Sequence, residues 1–97
     1  MNRRLYLVCY DVVDDGRRER LSRLLESVGR RVQWSVFEVL LDRTELEALL
    51  GQAREPARFN AAEDSLRCYP LCAECLSGVR IQGQGSAPLL PNRPLVL

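Results

Sequence analysis

The stretch from Leu5 to Tyr10 reads LYLVCY and is apolar on both of its sides. Its aromatic and branched residues favour a strand, where successive side chains point to opposite faces. Leu5, Leu7 and Cys9 then share one face, and Tyr6, Val8 and Tyr10 share the other. Both faces need cover. A chain of 97 residues holds one domain and buries a modest share of its surface. It can supply helices for one face only. A second copy is expected on the other, so this strand predicts a homodimer.

The rest of the chain supplies the helices and further strands. The strand stops at Asp11, and Asp14, Asp15 and Gly16 mark a turn and a helix start. Leu21, Leu24, Leu25 and Val28 follow at helical spacing, with Gly29 placed to end the helix. Residues 30–41 favour strand, and so long a run predicts a bend or tight turn near Trp34-Ser35. Thr44-Glu45-Leu46-Glu47 reads as a capping box opening a second helix through Leu46, Leu49, Leu50 and Ala53. Residues 55–64 read as a linker. Ser65 to Leu71 is another strand, and Pro70 places it at an edge or near its end. Cys72 to Gly78 reads as a turn or short helix, and Val79 to Gln82 as a short strand. The apolar end Leu95-Val96-Leu97 is expected to add a strand to a sheet. The order is that of an α+β, ferredoxin-like βαββαβ domain over residues 1–83, with a tail at 84–97.

Composition removes several chemistries. All 14 cations are arginine, and there is no His. That excludes a Ser-His-Asp triad, a His-ligated metal, a lysine Schiff base and a P-loop lysine. Acid-base or metal chemistry must rest on carboxylates, thiols or tyrosines. The net charge of +1 hides an asymmetry: residues 1–31 carry eight Arg against five acids, and residues 32–97 carry six against eight. No stretch approaches the roughly 18 apolar residues of a membrane span. Only six residues separate Arg4 from Asp11, too few for a signal-peptide core. A cytoplasmic protein with four reduced thiols is expected.

Three features invite a functional reading. Asp11 ends an apolar strand; it is either a turn former or a ligand for a hard cation such as Mg²⁺. One Asp is a poor site, but two copies facing each other across a two-fold axis make a reasonable one. Arg17, Arg18, Arg20 and Arg23 open the first helix, and Arg30 and Arg31 follow it. They form either a solvated face paired with nearby acids or a phosphate-contacting patch. Cys72-Ala-Glu-Cys75 has half of a zinc-knuckle spacing, with no second pair and no His, so packing thiols are the expected reading. Trp34 and Phe37 could stack bases, but in an apolar strand they read as core or interface residues.

The segment from Leu5 to Val12, then Asp14-Asp15 and Arg17-Arg18-Glu19-Arg20-Leu21, resembles the start of the CRISPR-associated Cas2 family. Gly29 to Glu38 resembles its second signature, and Ser65 to Leu71 its third. Trp34 stands where the family more often carries Tyr. The resemblance implies a ferredoxin-like homodimer whose C-terminal segment adds a strand to the partner's sheet. It implies that Asp11 is a Mg²⁺ ligand and presumed catalytic residue at the dimer interface, with one ion shared between subunits. It marks Arg18, Arg20, Arg31 and Phe37 as residues implicated in nuclease activity. It also implies work with a CRISPR integrase in spacer acquisition, on duplex DNA.

Two readings of different class follow. The first is a metal-dependent endonuclease, a phosphodiesterase acting on RNA or DNA. The second is a non-catalytic scaffold dimer that holds DNA and bridges integrase dimers.

Overall fold

A computed structural model of the chain describes residues 2–85. Seven elements follow in order: β1 (Arg4–Asp11), α1 (Asp15–Val28), β2 (Gly29–Gln33), β3 (Val36–Leu41), α2 (Arg43–Ala53), β4 (Ser65–Leu71) and α3 (Ala73–Ser77). The strands form one sheet in the order β2-β3-β1-β4, with antiparallel pairing throughout. The expected βαββαβ order is therefore present. The fold is α+β, with a four-stranded antiparallel sheet carrying two helices on one face.

β1 lies in the middle because it can satisfy neighbours on both sides. Val8 stands opposite Phe37 of β3 and Cys68 of β4, and Asp11 stands opposite Ser65. The alternation read from the sequence holds. Val8 and Tyr10 join Val12, Phe37, Val39 and Leu41 in the core with Leu21 and Leu25 of α1 and Leu46, Leu49 and Ala53 of α2. Leu24, Leu50, Leu66 and Cys68 pack half-buried against it. Each fully buried Leu or Phe contributes about 1.5–3 kcal/mol by leaving water, which makes this face the main source of stability.

Leu5, Leu7 and Cys9 face the other way. Leu5 is fully buried but lies outside the main core cluster, as does buried Leu76 of α3. Leu7, Cys9, Val36, Leu40 and Leu71 are only half-buried. The same face carries the cross-strand pair Arg30–Glu38, with Nη2 donating to Oε1 at 2.7 Å.

Several expectations need correction. Gly29 is not among them: it ends α1 as its C-cap, with an extended backbone, and begins β2. Glycine is needed there for space, because a Cβ would lie 2.3 Å from the Glu38 carbonyl oxygen and 2.5 Å from Val39 Cγ1. The capping box of α2 is formed by Asp42 and Glu45 rather than Thr44 and Glu47. Glu45 N–H donates to Asp42 Oδ1 at 2.8 Å, and Asp42 N–H donates to Glu45 Oε1 at 2.9 Å. Asp42 takes the role because it directly ends β3, where the backbone is still extended as an N-cap requires.

Trp34 is no core residue. The turn at Trp34-Ser35 joins β2 to β3, and Trp34 at its tip is 80% exposed. Val79 to Gln82 forms no strand, and Val79 and Ile81 are exposed. A strand needs a ladder partner, and none within the described residues pairs with this segment. The expected added strand near Leu97 falls in residues 86–97, outside the described residues. Pro70 does lie near the end of an edge strand, where its missing N–H costs least. Among the described residues, no helix is long and apolar enough to cross a membrane.

Candidate functional site

The C-terminal end of β1 and the start of α1 meet at a short turn. Asp11 is exposed there, with no ion pair or side-chain hydrogen bond among the described residues. The acids that follow it are engaged. Asp14 caps α1 by accepting from Arg17 N–H at 2.9 Å, and that backbone donor holds its carboxyl below the usual range. Asp15 pairs with Arg18. By strand alternation Asp11 shares the half-covered face of Leu7 and Cys9. It therefore projects from the side of the sheet that the helices leave open.

A clamp holds the turn behind Asp11. Asp64, immediately before β4, has a side chain fully shielded from solvent. Its Oδ1 accepts from Val13 N–H at 2.9 Å, and its Oδ2 accepts from Asn60 N–H at 2.9 Å and Arg17 Nε at 3.0 Å. Arg17 adds a second contact through Nη2 at 3.3 Å and reaches Glu63 at 2.8 Å. The Arg17 guanidinium, helped by the Val13 and Asn60 N–H groups and opposed by desolvation, brings the Asp64 carboxyl down to about 2. Sequence reading missed this role, because the partners lie about fifty positions apart and residues 55–64 carry no periodic signal.

The predicted arginines divide between two sides of α1. Arg18 donates through Nη1 to the Val12 carbonyl at 2.8 Å, which fixes it one residue beyond Asp11. Arg31 donates through Nη1 to the Trp34 carbonyl at 2.9 Å, and through Nη2 to Ser22 Oγ at 2.5 Å and Glu26 Oε1 at 3.0 Å. Its guanidinium carbon sits 5.0 Å from the Phe37 ring centre and 5.8 Å from that of Trp34. A hollow of about 300 Å³ lies between these elements, lined by Tyr10, Asp15, Arg18, Glu19, Ser22, Arg31 and Trp34. Its two arginines are matched by two carboxylates, with Asp15 paired to Arg18, and Tyr10 and Trp34 supply aromatic surface beside them.

Arg20 lies elsewhere. Its Nε donates to the Ala57 carbonyl at 2.6 Å, tying α1 to the linker before β4. Residues two apart on a helix do not share a face, so Arg18 and Arg20 cannot both line the hollow. Phe37 is fully buried and stacks on Tyr10 with ring centres 6.2 Å apart. It supports Arg31 from the core side and does not itself reach the surface.

Cys72 and Cys75 are both exposed, against the expectation of packing thiols. That reading fits Cys68, which packs on the core and whose thiol is pushed up by burial.

Among the described residues, no group of three or more His, Cys, Asp or Glu side chains gathers to hold a metal. The donor chemistry of Asp11 nonetheless suits a hard cation, since its carboxylate is exposed and not engaged by an internal cation.

The element order, sheet order and strand-end acid define a small α+β protein built on a single antiparallel sheet. The family model of CRISPR associated protein Cas2 matches residues 4–79. A "CRISPR-associated endoribonuclease Cas2 3" of Synechocystis sp. is 44% identical over 92 residues, covering 95% of this chain and 98% of the relative. The crystal structure of Streptococcus pyogenes Cas2 superposes with a TM-score of 0.71 at 27% identity, covering 81% of this chain and 99% of that one. A chain of a partial Cas6-RT-Cas1–Cas2 complex superposes with a TM-score of 0.57 at 31% identity, covering 80% and 89%. The chain belongs to the Cas2 family.

Proposed function

We propose that this chain is a CRISPR adaptation protein that acts as a homodimer with a Cas1-type integrase, and that it carries Mg²⁺-dependent endonuclease activity. The observation that carries this reading is Asp11. It is an exposed carboxylate, unpaired among the described residues, at the end of the central strand, on the face the helices leave open, one residue from a carbonyl that anchors Arg18. A second copy docked on that face would bring two such carboxylates together, and those residues would hold the ion. When bound, Mg²⁺ supplies an activated water and neutralises charge on the phosphate.

The chain's own groups do the rest. Arg18 and Arg31 hold the nucleic-acid backbone, and Trp34 offers a stacking surface beside them. Phe37, Ser22 and Glu26 keep Arg31 in place, and the Asp64–Arg17 clamp keeps the turn beneath Asp11. The naming of the Synechocystis relative as an endoribonuclease supports the hydrolytic part of the reading. The similarity to a chain of a Cas1–Cas2 complex supports the integrase partner.

The scaffold reading also has an observation behind it, since one chain contributes only one free carboxylate to the site. Asp11→Asn separates the two. Mg²⁺-dependent cleavage of single-stranded RNA or duplex DNA should fall roughly a hundredfold or more, the scale of losing a transition-state charge stabiliser. Unchanged cleavage would end the metal-site proposal. Lost cleavage with intact spacer integration would assign the protein's main role to holding DNA.

A further inference from the structure

The functional reading leaves one chemistry-bearing motif unused. Cys72 and Cys75 flank the first turn of α3, and both are exposed. Their Sγ atoms lie 3.3 Å apart, and Cys75 N–H donates to Cys72 Sγ at 3.4 Å. Sulfurs in a disulfide sit about 2.0 Å apart, so joining these two needs a movement of little more than ~1 Å. The two thiols also differ in character. The Cys75 N–H, and then the Cys75 thiol, favour the charged form of Cys72 and lower its pKa. A thiolate that is exposed and stabilised in this way is the reactive form of cysteine. Cys9 and Cys68 provide an internal contrast: both are half-buried, and burial raises the Cys68 thiol.

We propose that Cys72 and Cys75 are a redox-active dithiol that exchanges with low-molecular-weight disulfides to form an intramolecular disulfide. The Cys72 thiolate attacks one sulfur of the small disulfide. A mixed disulfide forms on Cys72, and one small thiolate leaves. Cys75 then gives up its proton and attacks the Cys72 sulfur, expelling the second small thiolate. The protein loses two electrons and two protons, and the small disulfide is reduced to two thiols. The exchange acts on the turn that directly follows β4, so the redox state is written at the edge of the sheet. It makes no use of Asp11, Arg18 or Arg31, and stands or falls apart from the nuclease reading.

The test uses the full chain, oxidised glutathione as the probe, alkylation of the remaining thiols and peptide mapping. The expected product has Cys72 joined to Cys75, with Cys9 and Cys68 alkylated. Cys75→Ser should retain glutathione on Cys72, because the resolving thiol is gone. Cys72→Ser should form no internal disulfide. The proposal is overturned if wild-type Cys72 and Cys75 both remain alkylable after exchange. It is equally overturned if the wild type keeps glutathione stably on Cys72, or if the disulfide maps to another pair. The wild-type map decides the matter even if a serine variant fails to fold.

Discussion

The two faces of the sheet are built from alternate residues of the same strands, yet they behave differently. On the helix-covered face, Val8, Phe37 and Val39 are almost wholly removed from water and meet Leu21 and Leu25. On the open face, Leu7 and Cys9 are only half-buried, Glu38 and Arg30 pair across strands, and Asp11 stands exposed at the strand end. The covered face is completed inside one chain. Among the described residues, the open face keeps apolar surface and a charged group that no helix covers. Stability therefore belongs mainly to one face, and Asp11 and the proposed assembly to the other, while Arg18 and Arg31 lie beside α1 on the helix side.

The sharpest way to break this comparison is Phe37→Ala. Loss of a fully buried ring beneath Arg31 should cost about 3–5 kcal/mol, read by denaturant unfolding. A cost near that of a surface change would mean that the covered face does not dominate stability.

On the open face, Leu7→Glu should leave the fold in place by circular dichroism and weaken self-association. Two copies would then oppose like charges, raising the dimer Kd by roughly a hundredfold. Sedimentation of the variant as the wild-type dimer would show that this face is not the interface.

The hollow beside α1 gives a smaller effect. Replacing Arg18 and Arg31 together with Ala should flatten the salt dependence of DNA binding by about one unit of slope per lost phosphate contact. Arg20→Ala should leave the slope unchanged, since that side chain is spent on the Ala57 carbonyl. Equal changes from both would merge the two sides of α1 that the structure separates.

The last effect shows its pH dependence in acid. The folded-state pKa of Asp64, about 2, lies below the ordinary unfolded value near ~3.9. Its contribution is present above that unfolded value and is lost as pH falls toward 2. Asp64→Asn should lower the Tm at neutral pH and flatten its fall across that acid window. A wild-type-like acid profile would remove the clamp from the account of how the Asp11 turn is held.

Much of this was legible in the chain. The alternation of LYLVCY predicted which β1 residues share a face, but not which face meets the helices, and the leucine spacing predicted α1. The turn at Trp34-Ser35 and the edge position near Pro70 also followed from local pattern. The readings that failed did so where a local signal had a different tertiary use. Trp34 read as a core or interface residue, and the turn carries it out of the core. Val79 to Gln82 had strand composition but no ladder partner within the described residues.

What the sequence by itself determined was periodicity: which residues can share a face of a strand or helix, where elements begin, and which chemistries the absence of His and Lys excludes. These depend on backbone geometry that repeats every two or 3.6 residues. Only the tertiary structure decided which distant groups meet. It joined Asp64 to Val13 and Arg17, placed Arg31 over Phe37, drew Arg20 away to Ala57, and left Asp11 without a side-chain partner among the described residues. Such contacts arise from packing one element against another, and no short-range pattern in the chain encodes them.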